Sequence, residues 1–433
     1  MVNKILGTTA TRILNALYNL IILWLLTNYV GSEGFGVISL VLVAITIVQV
    51  FIDLLGGGAL IYFTSRLNQT ALLFISYFWI FIVLLVIIAI FLFLNIIAPN
   101  AYSTLIPQGQ ETNILLLAFL NALMLTHYNL LIGQGNIKQY NIVFTIQIST
   151  LLLGFVYYIF ILNNISHFAY IQSLKISYLT GAVLSFIVLI KYLKYIPVKD
   201  IYSIVQQIFK FGFISQLANG FHILNKRISF YFVSSMTGLS SLGIYNAGIQ
   251  LTEGLRLIGQ SVSLVQFSEI SNSNSKDFAK DITIKLMKLS VILTILGVSI
   301  LLLIPENLYQ IIFTKEFVNL KTIIIALSPG VVALAANTIF SHYFSGLGNP
   351  KVSLWANIIG FIATIVFALI LIPIMGYVGA AITTSISYIS TVIYQYFIFK
   401  SYTATKAADW MLKRKDLNDL SLIFKQLFNS KKS

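Results

Sequence analysis

The composition of this chain is that of a membrane protein. Of its 433 residues 58% are hydrophobic and only 9% are charged, whereas charged residues make up roughly a quarter of soluble proteins. The absence of cysteine excludes disulfides, iron–sulfur clusters and thiol catalysis. The four histidines lack the short spacing of metal-binding pairs, which argues against a metal site. The net charge of +14 does not indicate nucleic acid, because most basic residues lie in short loops beside apolar segments.

Apolar runs separated by polar residues predict twelve membrane-spanning helices. A helix needs about 20 residues to cross the ~30 Å hydrocarbon layer, and each run is close to that length. The first run has no small-residue cleavage site behind it, so we expect it to remain as a span. The predicted spans are 5–30, 37–62, 70–97, 113–133, 140–162, 168–190, 212–235, 242–268, 283–304, 321–345, 352–373 and 377–399.

A polar break divides the spans into six plus six. Residues 191–211 carry four lysines around Pro197 and predict a cytoplasmic amphipathic linker between an N-lobe (1–190) and a C-lobe (212–400). The tail, 401–433, mixes basic with large apolar residues and is expected to lie on the anionic inner leaflet. Twenty-one lysines and arginines then face the cytoplasm, against Lys315 and Lys321 outside, so both termini are predicted to be cytoplasmic.

Two short segments occur twice in the chain. GQGNIK at 133–138 recurs as GLGNPK at 346–351, and GSEGFG at 31–36 is echoed by GLSSLG at 238–243. The offsets, 213 and 207, are nearly the same, which predicts an internal duplication of one six-helix unit. Membrane transporters are commonly built from such repeats, with the substrate path between them.

The 207-residue offset also aligns polar stripes of the two lobes. Spacings of four, three and four residues place the stripe of span 1, and the residues aligned with it in span 7, on one helical face. Interhelical hydrogen bonds and a water-filled cavity explain the neutral members equally well. The aligned residues are Thr8, Arg12, Asn15 and Asn19 with Ser215, Asn219, His222 and Lys226, then Ser39, Thr46, Gln49 and Asp53 with Asn246, Glu253, Arg256 and Gln260.

Charged members of these stripes predict a cationic cavity, because an unpaired cation in the membrane centre costs ~3 kcal/mol or more. Lys226 and Arg227 point about 100° apart on their helix, and Lys226 is preferred as the one facing the cavity. The candidate substrate-binding cations are Arg12, Lys226, Arg227 and Arg256, and the candidate polar lining is Asn15, Asn19, Gln49, Asn219, His222 and Gln260.

Two carboxylates within spans are candidates for coupling transport to an ion gradient. Glu253 could instead pair with Arg256 three residues away, and Asp53 could pair with Arg12 or Arg66. No P-loop pattern is present, so the sequence predicts neither ATP binding nor another cofactor. A proton or sodium gradient is then the expected source of energy.

Four segments resemble motifs of a known family of transporters. The family is that of the Wzx-type polysaccharide-exporter flippases, within the multidrug/oligosaccharidyl-lipid/polysaccharide superfamily. The resemblance covers residues 1 to about 400 and includes, in order along the chain, GSEGFGVIS at 31–39, GIYNAG at 243–248, GLGNPK at 346–351 and GYVGAAI at 376–382.

The resemblance implies an all-α integral membrane protein whose two six-helix lobes form a V around a cavity that opens alternately to either side. Members move undecaprenyl-diphosphate-linked oligosaccharides, such as O-antigen units of lipopolysaccharide or capsule units, to the outer leaflet of the bacterial cytoplasmic membrane. The cavity cations would then hold the diphosphate. Implied partners are the lipid-linked oligosaccharide, membrane lipids, and a polysaccharide polymerase with its chain-length machinery. Related lipid II flippases usually have two further spans, which makes a peptidoglycan precursor the less favoured cargo.

Two other functions compete with a flippase. A multidrug or organic-cation antiporter of the same superfamily would need acidic groups in its cavity, whereas these stripes are net basic. A membrane-embedded glycan polymerase or ligase would be expected to need a sizeable outside loop with reactive groups. The longest predicted outside segments, 98–112 and 305–320, are short and lack such groups. The sequence therefore predicts a transporter and not an enzyme.

Overall fold

A computed structural model of the chain describes residues 2–193, 201–256 and 275–410, together with the isolated residues 259, 260, 263, 266 and 270. The side chains of residues 2–10, 12, 13, 211, 214, 215, 407 and 408 are not among those described. The described residues form fourteen α-helices: α1 (Val2–Leu25), α2 (Gly31–Ile52), α3 (Gly57–Phe63), α4 (Gln69–Ile97), α5 (Pro99–Leu105), α6 (Glu111–Gly133), α7 (Ile137–Phe160), α8 (His167–Ile190), α9 (Ile201–Thr237), α10 (Leu239–Glu253), α11 (Lys276–Leu303), α12 (Glu306–Phe313), α13 (Leu320–Gly346) and α14 (Lys351–Thr403).

Glycines break the longest helical segments. A π-helical stretch, Leu26–Val30, follows α1 and ends at Gly31, whose φ is +76°. Gly376, with φ +59°, divides α14 in the same way. Eight described segments are long and apolar enough to cross a membrane, and two of them, Leu14–Ile52 and Lys351–Thr403, contain these breaks. With α9 and α10 added, this arrangement is consistent with the twelve predicted spans.

Some predicted boundaries differ from the observed helices. Predicted span 2 is interrupted, because α2 ends at Ile52 and α3 begins at Gly57. Helix α9 begins at Ile201, so residues 201–211 of the predicted linker are continuous with the helix of span 7, while 194–200 lie outside the described residues. In the region of predicted span 8, α10 ends at Glu253. Most of the tail, 411–433, is also outside the described residues.

The repeated glycine segments form the same turn twice. After α6, the Gly135 N–H donates to the Ile132 carbonyl and the Asn136 N–H to the Leu131 carbonyl. After α13, Gly348 and Asn349 make the equivalent bonds, to Ser345 and Phe344. This pattern is a Schellman C-cap, in which the first residue past the helix takes a left-handed conformation that glycine adopts without strain. The φ values of Gly135 and Gly348, +76° and +74°, agree with it.

Helices α2 and α10 cross closely and join the two halves of the chain. A Cβ at Gly36 would collide with the Leu239 backbone, and a Cβ at Gly243 would collide with the Ser32 backbone. The Asn246 side chain donates to the Ser39 hydroxyl at 2.7 Å. Since Gly36 and Gly243, and also Ser39 and Asn246, are 207 residues apart, the contact relates equivalent positions of the two repeats.

The outer surface of the helices is apolar, as a surface in contact with lipid must be. On α4, large apolar side chains are exposed along its length, among them Phe74, Phe78, Phe81 and Phe93. Only 11% of the most apolar window of this helix is buried inside the protein. A soluble protein rarely exposes so large a contiguous apolar area. The chain is therefore a multi-pass membrane protein.

Candidate functional site

The centre of the candidate site is a carboxylate held by two cations. The Nζ of Lys226 lies 2.6 Å from Oε1 of Glu253, and Nη2 of Arg227 lies 3.3 Å from its Oε2. Both cations are on α9, and the carboxylate is the last residue of α10. The sequence predicted that only one of the two cations faces the cavity. Both reach the same carboxylate, because long flexible side chains span the angular difference between neighbouring positions.

Arg256 and His222 extend this cluster. The Arg256 guanidinium binds Gln260, whose side-chain oxygen accepts from Nε and Nη2 at 3.2 Å each when the amide is oriented toward it. His222, one turn before Lys226 on α9, lies within electrostatic range of Lys226, Glu253 and Arg256. Glu253 thus pairs across to α9, and the ion pairs formed by the described part of the chain do not include the predicted intrahelical Glu253–Arg256 bridge.

The cluster carries excess positive charge. Lys226, Arg227 and Arg256 are three cations against one carboxylate, which leaves a net charge of +2 with His222 neutral. The Lys226 side chain is only 8% exposed, while those of Arg227 and Glu253 are each 26% exposed. A partly exposed cationic cluster of this kind can bind an anion through charge-assisted hydrogen bonds.

A buried amide next to the cluster fixes the position of α9. Asn225 is 4% exposed, and its Oδ1 accepts hydrogen bonds from the hydroxyls of Thr364 (2.8 Å) and Ser387 (2.5 Å) on the two halves of α14. The Gly360 carbonyl lies 3.0 and 2.8 Å from the same two hydroxyls and is the second acceptor with which each shares its single hydrogen. Because buried polar groups are costly to leave unpaired, this network holds α9 against α14 at the turn that carries Lys226.

The polar stripe of span 2, in the N-lobe, carries a carboxylate bonded by an amide where the C-lobe has its cationic cluster. Gln49 donates to Oδ1 of Asp53 at 2.7 Å and accepts from Asn121 at 3.1 Å. Arg66, a predicted alternative partner of Asp53, instead donates to the Tyr62 carbonyl and lies over the Tyr62 ring. Asp53 is therefore held by an amide, in a turn at the end of α2.

The remaining predicted residues, in span 1 and on α9, do not contact the cationic cluster in the hydrogen bonds described for them. Asn19 is exposed and donates to Asn15 at 3.2 Å, so these two members of the stripe bind each other. The side chain of Arg12 lies outside the described residues, so its role as a substrate-binding cation stays a prediction. On α9, Asn219 donates to the buried Gln216 at 3.3 Å.

Asp53 lies where the two halves of the chain meet. A Cβ at the neighbouring Gly57, whose φ is +52°, would lie 2.8 Å from Nε2 of Gln216 on α9. A Cβ at Gly212, also on α9, would lie 2.8 Å from the Leu54 carbonyl oxygen. The turn that ends α2 therefore packs directly on the helix that carries the cationic cluster.

Sequence reasoning did not assign a role to several buried polar residues, among them Asn225, Gln216 and His127. Asn225 and Gln216 are each adjacent in sequence to a member of the predicted stripe, which was the available signal. His127, at 3% exposure, is hydrogen-bonded through Nε2 to the Tyr77 hydroxyl, and its Nδ1 lies 3.1 Å from the Ala182 carbonyl, which can only accept. His127 is thus fixed as the Nδ1–H tautomer within the N-lobe. Among the residues that the structure describes, no group of histidines and carboxylates could hold a metal ion.

Comparison with known proteins identifies relatives over most of the chain. The model of the family described as lipid II flippase MurJ matches residues 15–424. An uncharacterized membrane protein of Methanocaldococcus jannaschii is 26% identical over 319 residues. A probable low-salt glycan biosynthesis flippase of Haloferax volcanii is 25% identical over 169 residues, and a capsular polysaccharide biosynthesis protein of Staphylococcus aureus is 23% identical over 180. These matches cover 66%, 37% and 41% of this chain and 61%, 34% and 46% of the relatives, less than two thirds of each relative's length.

Solved structures share the fold over nearly the whole chain. The inward closed conformation of lipid II flippase MurJ superposes with a TM-score of 0.73 at 19% identity, covering 99% of this chain and 93% of that one. The inward-facing conformation of a multidrug resistance transporter of the MATE family gives a TM-score of 0.71 at 14% identity, covering 91% of this chain and 96% of that one. The predicted fold class, an all-helical two-lobed transporter fold, is confirmed.

Proposed function

Because the chain belongs to the family of lipid II flippase MurJ, we propose that it moves an undecaprenyl-diphosphate-linked oligosaccharide from the inner to the outer leaflet of a bacterial cytoplasmic membrane. The family consists of flippases, so the prediction of a transporter and not an enzyme is confirmed. The Wzx-type specificity, for O-antigen or capsule units, belongs to this proposal. The relatives named for glycan biosynthesis and capsular polysaccharide support it.

The observation that carries the proposal is the cationic cluster of Lys226, Arg227 and Arg256. A diphosphate presents several oxygens that accept hydrogen bonds from guanidinium and ammonium groups. The lipid tail would stay in the bilayer while the sugar crosses through the polar cavity between the lobes. An organic-cation antiporter, the rival within the same fold, would need acidic groups to bind its substrate, whereas the carboxylate of this cluster, Glu253, is paired with two cations.

A second cargo is favoured by the family assignment itself. The matching family is described as that of a lipid II flippase, so lipid II, a peptidoglycan precursor, is the alternative substrate. Phosphate-binding cations suit either lipid-linked cargo. The two differ in the group carried on the diphosphate, and the choice between them rests on transport measurements with each lipid.

The proposal also includes the orientation of the protein in the membrane, its source of energy and its partner proteins. The protein would have both termini in the cytoplasm, in keeping with the positive-inside rule. A proton or sodium gradient would drive the cycle, with Asp53 as the coupling carboxylate. A polysaccharide polymerase and its chain-length machinery would receive the translocated oligosaccharide.

The proposal is tested by neutralising the cations one at a time in proteoliposomes loaded with labelled undecaprenyl-diphosphate oligosaccharide. We expect Lys226→Gln, Arg227→Gln and Arg256→Gln each to slow translocation at least tenfold, since a charge-assisted hydrogen bond contributes about 1.5–3 kcal/mol and tenfold corresponds to about 1.4 kcal/mol. Lys175→Gln, which removes a lysine of α8 outside the cluster, should leave the rate unchanged.

The same liposomes loaded with lipid II separate the two cargoes. Faster translocation of the oligosaccharide lipid supports the proposed specificity, and faster translocation of lipid II replaces it with the alternative. Normal rates in all three cation variants with both lipids would refute the phosphate-binding role of the cluster.

A further inference from the structure

Glu253 is placed in the cluster as a bound anion would be. Its two carboxylate oxygens are shared between two cations, with Oε1 2.6 Å from Lys226 and Oε2 3.3 Å from Arg227. Lys226 is buried, and Arg227 and Glu253 are partly exposed, so the pair is reached from the open side of the cluster. Phosphate oxygens accept from the same donors with the same geometry. One carboxylate and one phosphate cannot occupy this position together.

The backbone around Glu253 does little to fix its carboxylate in this position. Glu253 is the last residue of α10, and the regular hydrogen bonding of that helix is interrupted directly after it. Immediately beyond it the hydrogen bonds loosen: Gly254 donates to Gln250 at 3.3 Å, and Leu255 donates three residues back, to Thr252 at 3.1 Å. Gly254 is exposed. The two cations on α9 therefore hold the carboxylate in place, and a competing anion can release it.

We propose that Glu253 is an internal counter-anion that occupies the phosphate site of the empty transporter and is displaced by the diphosphate of the substrate. The inference rests on the proposed function, because it assumes that Lys226 and Arg227 bind substrate phosphate. The proposed exchange makes the site selective, because an anion can bind Lys226 and Arg227 only if it displaces the tethered carboxylate. A diphosphate, with more charge and more acceptor oxygens, does so more readily than a monophosphate.

Glu253 is therefore a specificity-determining residue against lipid monophosphates and free phosphate. Without it, the two cations stand unpaired and accept weaker anions. The same exchange keeps Lys226 paired in both states of the site, which a buried cation requires, since leaving one partner of a buried pair alone is strongly unfavourable.

The test measures binding of farnesyl diphosphate and farnesyl monophosphate to the full-length protein in detergent by titration calorimetry. We expect Glu253→Gln to bind the monophosphate about tenfold more tightly than the wild type and to gain less for the diphosphate. Glu306→Gln, which neutralises an exposed carboxylate on α12, should change neither affinity. A gain of affinity cannot come from damaged folding, so this readout separates displacement from a structural role.

Glu253→Asp provides the same test if the glutamine variant does not fold. Its shorter side chain weakens both ion pairs while keeping the charge, and we expect a gain of about threefold for the monophosphate. Unchanged or weaker monophosphate binding in the folded variants, with Lys226→Gln weakening farnesyl diphosphate binding, would overturn the counter-anion proposal and leave the phosphate site standing. Unchanged diphosphate binding in Lys226→Gln would overturn the proposed function instead.

Discussion

Gln49 and Arg256 occupy equivalent positions of the two repeats and make equivalent hydrogen bonds. Gln49 donates to Asp53 at 2.7 Å, and Arg256 donates to Gln260 at 3.2 Å, each four residues further along its chain segment. The donor and acceptor positions are thus the same in both lobes, but the charge differs: the N-lobe has a carboxylate acceptor, and the C-lobe has a guanidinium donor. The same pair of positions thus carries a negative charge in the N-lobe and a positive charge in the C-lobe.

Asp53→Asn tests whether the N-lobe carboxylate couples transport to an ion gradient. The substitution removes the charge and keeps an oxygen that can accept from Gln49, so the α2 turn should survive. We expect the translocation rate under a proton or sodium gradient to fall to the rate without one. The measurement compares both rates in proteoliposomes, with Glu111→Gln, at the start of α6, as the control. If the variant still responds to the gradient as the wild type does, Asp53 is not the coupling group.

At the residue scale, charged residues within spans were easier to select as candidates than neutral ones. Lys226 and Arg256 are conspicuous in the sequence because an unpaired cation within an apolar span is energetically costly. Asn225, the buried amide beside Lys226, is not, since asparagine in a span can equally well bond a neighbouring helix. The pairing of Glu253 could not be predicted, because it depends on which face of α9 lies against the end of α10.

At the element scale, the α2–α10 crossing holds the end of the molecule that the predicted topology places outside. The hydroxyls of Ser32 and Ser240 lie 2.7 Å apart, and Glu316 accepts from the Ser32 N–H at 2.7 Å. Asn28 donates to the Ile312 carbonyl, also at 2.7 Å. Glycines at the crossing let the backbones touch. Opening to the outside would have to break these contacts.

A disulfide across this crossing should arrest transport. Ser32→Cys combined with Ser240→Cys replaces two contacting hydroxyls, and the chain has no other cysteine to interfere. We expect oxidation to join them and to reduce translocation at least tenfold, because alternation needs α2 and α10 to separate; dithiothreitol should restore it. Each single cysteine is the control. Full activity of the cross-linked protein would show that the crossing does not open during the cycle.

The helix breaks were only partly predictable. Turns at Gly31 and after Gly133 carry glycine signals and were placed close to their observed positions. The interruption between Ile52 and Gly57 falls inside one continuous apolar window, so hydropathy alone reads it as one span. Its cause is tertiary: Gly57 and the turn before it fit against Gln216 and Gly212 of α9.

At the scale of the whole molecule, orientation in the membrane follows from the distribution of basic residues. Gln108 lies in a predicted outside segment and Lys138 in a predicted inside turn, and both are exposed. We expect a membrane-impermeant maleimide to label Gln108→Cys in intact cells, and to label Lys138→Cys only after permeabilisation. Lys351→Cys, in the repeated turn, should behave as Lys138→Cys does. The reverse pattern would invert the topology.

Composition, charge distribution and repeated segments were enough to predict the fold class and the duplication. They could not identify the cargo, because the hydroxyl-rich part of a sugar is recognised by common polar and aromatic residues that this chain has throughout. The proposal of a lipid-linked cargo therefore rests on the family assignment and the cationic cluster, and transport of the two labelled lipids tests it.

The hydrogen bond between Ser39 and Asn246 has a consequence for the origin of the protein. In an ancestral homodimer of the six-helix unit, an isologous interface would have brought these two positions together as identical residues on the symmetry axis. Six helices are an even number, so both copies would have had the same orientation in the membrane. Fusion of the two genes would have allowed a serine at one of these positions and an asparagine at the other, and would have allowed one lobe to carry cations that the other lobe lacks.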